Sequence, residues 1–140
     1  MNFNGRTAIV TGGAAGIGEA VAKALVADGA QVIIGDIDNS RARATAQRID
    51  PTSESCQTYK LDLADMDSID GFLQAVHTFS SQVDILVNCA GIAAPEEFFE
   101  LTPQQWDRIM DINLKGTFFL SQKISKGMSE SEAKKQCRTL

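Results

Sequence analysis

The chain has 140 residues, enough for one domain with a buried core. At 44% hydrophobic and 22% charged residues it reads as a soluble globular protein, and a net charge of −5 without a basic stripe disfavours nucleic acid as a partner. No apolar run approaches a membrane span and no signal-peptide pattern opens the chain, so a cytoplasmic location is expected.

Thr7-Ala8-Ile9-Val10 predicts a first strand. Thr11-Gly12-Gly13-Ala14-Ala15-Gly16-Ile17-Gly18 follows as a glycine-rich turn, and Ile17, Val21 and Leu25 then recur every fourth residue, as in a helix. Glycine lets the backbone turn tightly and approach a ligand closely, because no Cβ intervenes. The start of the next helix offers unpaired N–H groups and a positive dipole end to a pyrophosphate. Val32 to Asp36 predicts the second strand. The acidic side chain at its end suits the hydroxyls of an adenosine ribose and repels a 2′-phosphate. The competing reading is a plain strand-turn-helix with a surface aspartate. The sequence order of strand, glycine turn, helix, strand and acid favours a dinucleotide.

Asp38-Asn39-Ser40 offers caps for a second helix ending near Asp50-Pro51, and Thr52 to Ser55 reads as a loop. Cys56 to Leu61 predicts the third strand, with Asp62-Leu63 at its exit. Ile69, Phe72, Leu73, Val76 and Phe79 form a helical stripe. Asp84 to Asn88 is a short continuous apolar strand of the kind a covered parallel sheet needs. Thr102-Pro103-Gln104-Gln105 starts another helix, with a capping Thr, Pro at the first position and Gln at the third. Trp106, Ile109, Met110, Asn113 and Leu114 are expected on one face, and Phe118, Phe119, Leu120 and Ile124 extend the apolar surface. After Met128 the composition turns polar. The expected organisation is a dinucleotide-binding domain over 1–128 and a polar tail over 129–140.

Cys56, Cys89 and Cys137 are widely spaced, with no CxxC pair and no metal-ligand spacing. They read as buried thiols in a reducing compartment. His77 is the only histidine, expected on a solvated face, so the chain holds neither a histidine metal cluster nor a His-dependent triad. The alternation of strands and helices implies an α/β, Rossmann-like, doubly wound parallel sheet. The sheet is expected to stop after about four strands and the helix opened by Thr102, leaving the fourth strand without a sequence-evident outer neighbour.

The motifs resemble the classical branch of the short-chain dehydrogenase/reductase family. Thr11 to Gly18 fits its TGxxxGIG. Asp62-Leu63 fits its acidic-apolar pair, which implies contact with the adenine ring. Asn88-Cys89-Ala90-Gly91 fits its NNAG, with Cys89 in place of the second Asn, and Asn113 fits the asparagine of its fifth helix. The resemblance covers about the first 126 residues, and within the family it points toward 3-oxoacyl-carrier-protein reductase-like and polyol dehydrogenase-like members. It implies Gly12, Gly16, Ile17, Gly18, Asp36, Asp62, Leu63, Asn88, Ala90 and Gly91 as cofactor-binding residues and Asn113 as catalytic, holding a water in a proton relay. Read by pattern alone, Asn113 is also a buried amide satisfied by a neighbouring carbonyl. No metal is expected.

The implied reaction is hydride transfer between nicotinamide and an alcohol or ketone carbon. NAD is favoured over NADP: Ala14 and Ala15 make the loop neutral, Gly35-Asp36-Ile37-Asp38 is acidic, and Arg41 is the nearest cation. The family's Ser and Tyr-xxx-Lys are missing. The sole tyrosine is Tyr59, Leu63 stands where the lysine belongs, and Ser121 and Ser125 fall on a helix. The chain is therefore expected to be inactive alone and to self-associate through the fifth helix. The alternatives are a non-catalytic dinucleotide-binding or heterodimerising module, and a truncated or frameshifted product.

Overall fold

The structure, a computed structural model, describes residues 2–94 and 97–137, with residue 98 and 130–137 described by their backbone alone. Four parallel strands, β1 (Thr7–Thr11), β2 (Gln31–Asp36), β3 (Cys56–Lys60) and β4 (Ile85–Asn88), form one sheet in the order β3-β2-β1-β4. Ile9 stands opposite Ile33 on one side and Leu86 on the other. The strands read as unbroken apolar runs because both faces are covered. Ala8, Val10, Val32 and Ile34 pack with residues of α1 (Gly16–Ala27) and α2 (Asn39–Ile49). Ile9 and Ile33 face the other way, against Phe72 and Val76 of α3 (Met66–Phe79) and Leu120 and Ile124 of α5 (Thr117–Cys137). The winding reverses between β1 and β4, and ligand crevices of doubly wound sheets open beyond the strand ends at such a point.

The expected strands and the second helix sit within about two residues of their predicted bounds, as such boundaries do, and the first and third helices span the stripes expected of them. Helix starts follow their caps. Asp38 accepts a hydrogen bond from Arg41 N–H, and Asp65 accepts one from Asp67 N–H. Thr102 and Gln105 close a reciprocal capping box, with Pro103 opening α4 (Pro103–Met110). His77 lies on an exposed face, as expected.

Two helical faces differ from the sequence reading. The buried face of α1 is Gly18, Ala22 and Leu25, and Ile17 is 79% exposed. Gly18 turns toward the glycine loop, which rotates Ile17 outward. The second difference begins at Asp111. Between α4 and α5 the chain takes a π-helical segment, Asp111–Gly116. Its wider turn shifts the angular position of every later side chain, so the stripe does not continue as a single face. Trp106, Asn113 and Leu114 are exposed, and Gly116, Leu120 and Ile124 carry the buried face instead. The polar residues after Met128 do not leave the helix: α5 runs through Cys137, in keeping with the good helix propensity of Glu, Ala, Lys and Gln. The Cys137 thiol and residues 138–140 lie outside what is described.

Candidate functional site

The glycine loop is shaped by contacts that only a missing Cβ permits. Gly12 has φ +65°, and a Cβ there would lie 2.7 Å from the Ala90 Cα. At Gly18 a Cβ would collide with the Gly12 carbonyl oxygen. The loop therefore nests against its own helix and against the exit of β4. Thr11, fully buried, fixes that second contact: its Oγ1 accepts hydrogen bonds from Cys89 N–H and Ala90 N–H, both at 3.1 Å. Gly16, at φ +56°, and the exposed Ile17 stand at the start of α1.

A crevice of about 490 Å³ opens above the strand ends, within the usual range for small-molecule sites. Of the predicted residues, Gly12, Asp36, Asp62, Leu63, Ala90 and Gly91 line it. Gly16, Ile17, Gly18, Asn88 and Asn113 do not. Asp36 is held at both oxygens. Its Oδ2 accepts from Ala14 N–H and its Oδ1 from Asp38 N–H, each at 3.0 Å. That grip aims a negative charge at the crevice wall. Asp62 accepts from Ala64 N–H at 2.9 Å, while its own N–H donates to Ser68 Oγ. Leu63 is buried beside it and supplies an apolar surface.

Asn88 and Asn113 engage elsewhere. Asn88 Nδ2 donates to Ser121 Oγ at 3.1 Å, tying β4 to α5. Asn113 is not the buried amide of an apolar stripe. It is exposed, and both ends of its side chain pair with the backbone of one residue: Oδ1 accepts from Ile92 N–H at 2.9 Å and Nδ2 donates to the Ile92 carbonyl at 2.8 Å. The pair mimics one rung of a sheet ladder and fixes the segment after β4 that forms one wall of the crevice. Tyr59 lies on β3, at the opposite edge of the sheet from β4, and does not line the crevice.

Sequence reasoning missed several wall residues, Leu61 and Ile92 among them, and one support. Arg108 and Ile112 reach the crevice from α4 and the π segment, where no motif marks them. Thr45 touches the glycine loop from the middle of α2. Among the described residues no group of three His, Cys, Asp or Glu side chains is placed to hold a metal ion. Among them, too, no helix is long and apolar enough to cross a membrane.

A parallel sheet with its crevice at the β1/β4 reversal, floored by a glycine loop and an anchored acid, defines a Rossmann-like α/β protein. The family model for short chain dehydrogenase matches residues 6–136. The chain belongs to that family. It is similar to galactitol 2-dehydrogenase of Agrobacterium fabrum (strain C58 / ATCC 33970), 40% identical over 128 residues that make up 91% of this chain and 49% of that protein. Among solved structures, 3-ketoacyl-(acyl-carrier-protein) reductase from Brucella melitensis, complexed with NADH, superposes with a TM-score of 0.88 at 31% identity, covering 96% of this chain and 55% of that one. A metagenomic short-chain oxidoreductase in complex with NADP gives a TM-score of 0.85 at 29% identity, covering 92% and 59%. The chain thus spans about half the length of the curated relatives it matches.

Proposed function

We propose that this chain binds a nicotinamide dinucleotide, NAD in preference to NADP, and that the chemistry it serves is hydride transfer between the nicotinamide and an alcohol or ketone carbon. The anchored Asp36 carboxylate is the observation that carries the reading. Backbone N–H groups hold it on the crevice wall, where it suits ribose hydroxyls and meets a 2′-phosphate as a like charge. The residues fit the cofactor in two further ways. Gly12, lacking a Cβ, lets the glycine loop close against Ala90 at the floor of the crevice, and Asp62-Leu63 offers a carboxylate beside an apolar patch for an adenine. The bound cofactor supplies the hydride chemistry, while these residues supply binding and orientation.

Proton handling is a separate task. A general acid works only within hydrogen-bonding reach of the reacting oxygen. The family's Ser and Tyr-xxx-Lys are absent from these 140 residues, so dinucleotide binding, not turnover, is the activity this chain carries on its own. Cofactor-binding residues are Gly12, Gly16, Ile17, Gly18, Asp36, Asp62, Leu63, Asn88, Ala90 and Gly91. Gly16, Ile17 and Gly18 serve at the helix start, where free N–H groups donate to phosphate oxygens. Asn88 serves through its tie to Ser121. Asn113, beside the crevice wall at Ile92, is proposed as the catalytic residue, holding a water in a proton relay.

Calorimetric titration with NAD and NADP tests the reading, together with Asp36→Asn. That variant removes the charge and leaves an acceptor for Ala14 N–H. The unmodified chain is expected to bind NAD more tightly. The variant is expected to lose about 10- to 100-fold in NAD affinity, as for charge-assisted hydrogen bonds worth about 1.5–3 kcal/mol. Equal or tighter NADP binding by the unmodified chain overturns the Asp36 assignment and hands the 2′-position to Arg41, which also lines the crevice.

A further inference from the structure

One buried hydroxyl connects α2 to the glycine loop. Thr45 is fully buried, and its Oγ1 donates to the Ala14 carbonyl at 2.9 Å. The same oxygen accepts from Arg48 Nη2 at 2.8 Å, and that nitrogen also reaches Glu19 Oε1 at 2.8 Å. Glu19 stands in the first turn of α1, immediately after the loop. The chain Glu19–Arg48–Thr45–Ala14 therefore braces the loop from behind. On the other side of Ala14, the N–H is taken by Asp36. Both peptide groups of Ala14 are gripped, one from α2 and one from the end of β2.

A trans peptide is planar, with its C=O and N–H pointing in opposite directions. Drawing the Ala14 carbonyl toward Thr45 turns the Ala15 N–H away from α2. Ala14 and Ala15 both line the crevice. We propose that Thr45 is a positioning residue for the dinucleotide: its hydroxyl sets the Ala14–Ala15 peptide plane so that Ala15 N–H is presented to acceptor oxygens at the adenosine end of the ligand. Arg48 polarises and orients that hydroxyl, so the brace acts as a unit. The inference rests on the cofactor reading above.

NAD titration tests it on the unmodified chain, Thr45→Val, Thr45→Ser and Arg48→Met, with melting temperatures of each recorded without ligand. Valine keeps the shape and removes the donor, serine keeps the donor and removes a methyl, and Arg48 is 59% exposed, so its replacement buries nothing new. Affinity is compared at a temperature where every variant tested is folded. Thr45→Val is expected to bind about tenfold more weakly, with Thr45→Ser within about twofold of the unmodified chain and Arg48→Met in between. Serine rescue separates positioning from packing, which the lost methyl alone would impair. Thr45→Val binding within about twofold of the unmodified chain overturns the inference; if that variant does not fold, the same result for Arg48→Met overturns it and a loss supports it. An unmodified chain that binds neither dinucleotide overturns the cofactor reading, and the role of Thr45 with it.

Discussion

The place of Asp36 on the crevice wall was legible in the sequence because it depends on chain order, an acid closing the strand that follows a glycine-turn helix. Thr45 was not, because a threonine inside a helix carries no signal of what its hydroxyl reaches across a tertiary contact. The cysteines show the same split. Their wide spacing read as buried thiols, and Cys56 is a buried thiol. How far burial perturbs it is a property of the fold. Desolvation pushes the Cys56 thiol up to about 11, with the Asp50 carboxylate adding to the effect. The folded chain thus keeps a proton that the unfolded chain releases near 9.0. The stability this contributes is complete below that value and is lost as pH rises through about 11. Iodoacetamide at about pH 8 is expected to leave Cys56 unmodified in the folded chain and to label it in denaturant, because the thiolate is the nucleophile. Half-buried Cys89, at the crevice, reacts before Cys56. Peptide mass mapping over a time course checks the order. Labelling of Cys56 at the rate of Cys89 would mean that the β2–β3 face opens far more easily than its packing suggests.

At the scale of elements, the sequence pattern found strands and caps and missed what joins them. Asp84 precedes β4, and its carboxylate binds across to β1. It accepts from Thr7 N–H at 3.0 Å and from Arg6 Nη1 at 2.9 Å, and Gln82 Nε2 donates to it as well. Burial raises its pKa, but these hydrogen bonds and the Arg6 charge outweigh burial and hold it below the ordinary carboxylate value. A depressed folded value means stability that is present above about pH 4 and fades as pH falls through the folded pKa. Asp84→Asn is expected to lower the unfolding free energy by about 1–2 kcal/mol at pH 7 and to flatten the acid side of the stability curve. Urea titrations from about pH 3 to pH 7 measure both. An unchanged acid slope in the variant would put the pH dependence on other groups, of which Asp50, lowered by Thr52 and Ser55, is the first to examine. The helix after Thr102 teaches a related lesson. Its capping box was written in four consecutive residues and formed as read. Its face was projected forward at 3.6 residues per turn, and the π segment broke the projection at Asp111. No local sequence rule marks that segment. Tertiary contacts set it: Gly116 docks so closely on the Leu63 carbonyl that a Cβ would collide, and Asn113 reaches back to Ile92.

At the scale of the whole molecule, the sheet has two unequal edges. β3 is a polar edge, Cys56-Gln57-Thr58-Tyr59-Lys60, of the kind that resists pairing. β4 is Ile85-Leu86-Val87-Asn88 and pairs, among the described residues, with β1 alone. Its three apolar side chains are half-buried, whereas those of β1 and most of β2 are fully covered. An apolar edge with unpaired N–H and C=O groups recruits other chains. Helical surface nearby adds to this, with Trp106 55%, Leu114 59% and Phe118 56% exposed. Residues 117–137 cannot cover the edge as a strand while they remain the helix α5. We therefore expect the 140-residue chain to self-associate, through the β4 edge and the exposed residues of α4, the π segment and α5. Sedimentation velocity across a concentration series is expected to show mass increasing with concentration. Leu114→Glu with Phe118→Lys is expected to weaken association without unfolding the chain, since neither side chain contributes to the core. Asn113 and Ile92 stay intact in that variant, so the crevice wall is unaltered. A monomer at every concentration, unfolding in one cooperative transition, would overturn the open-edge expectation and require that the helix rearrange to close the sheet.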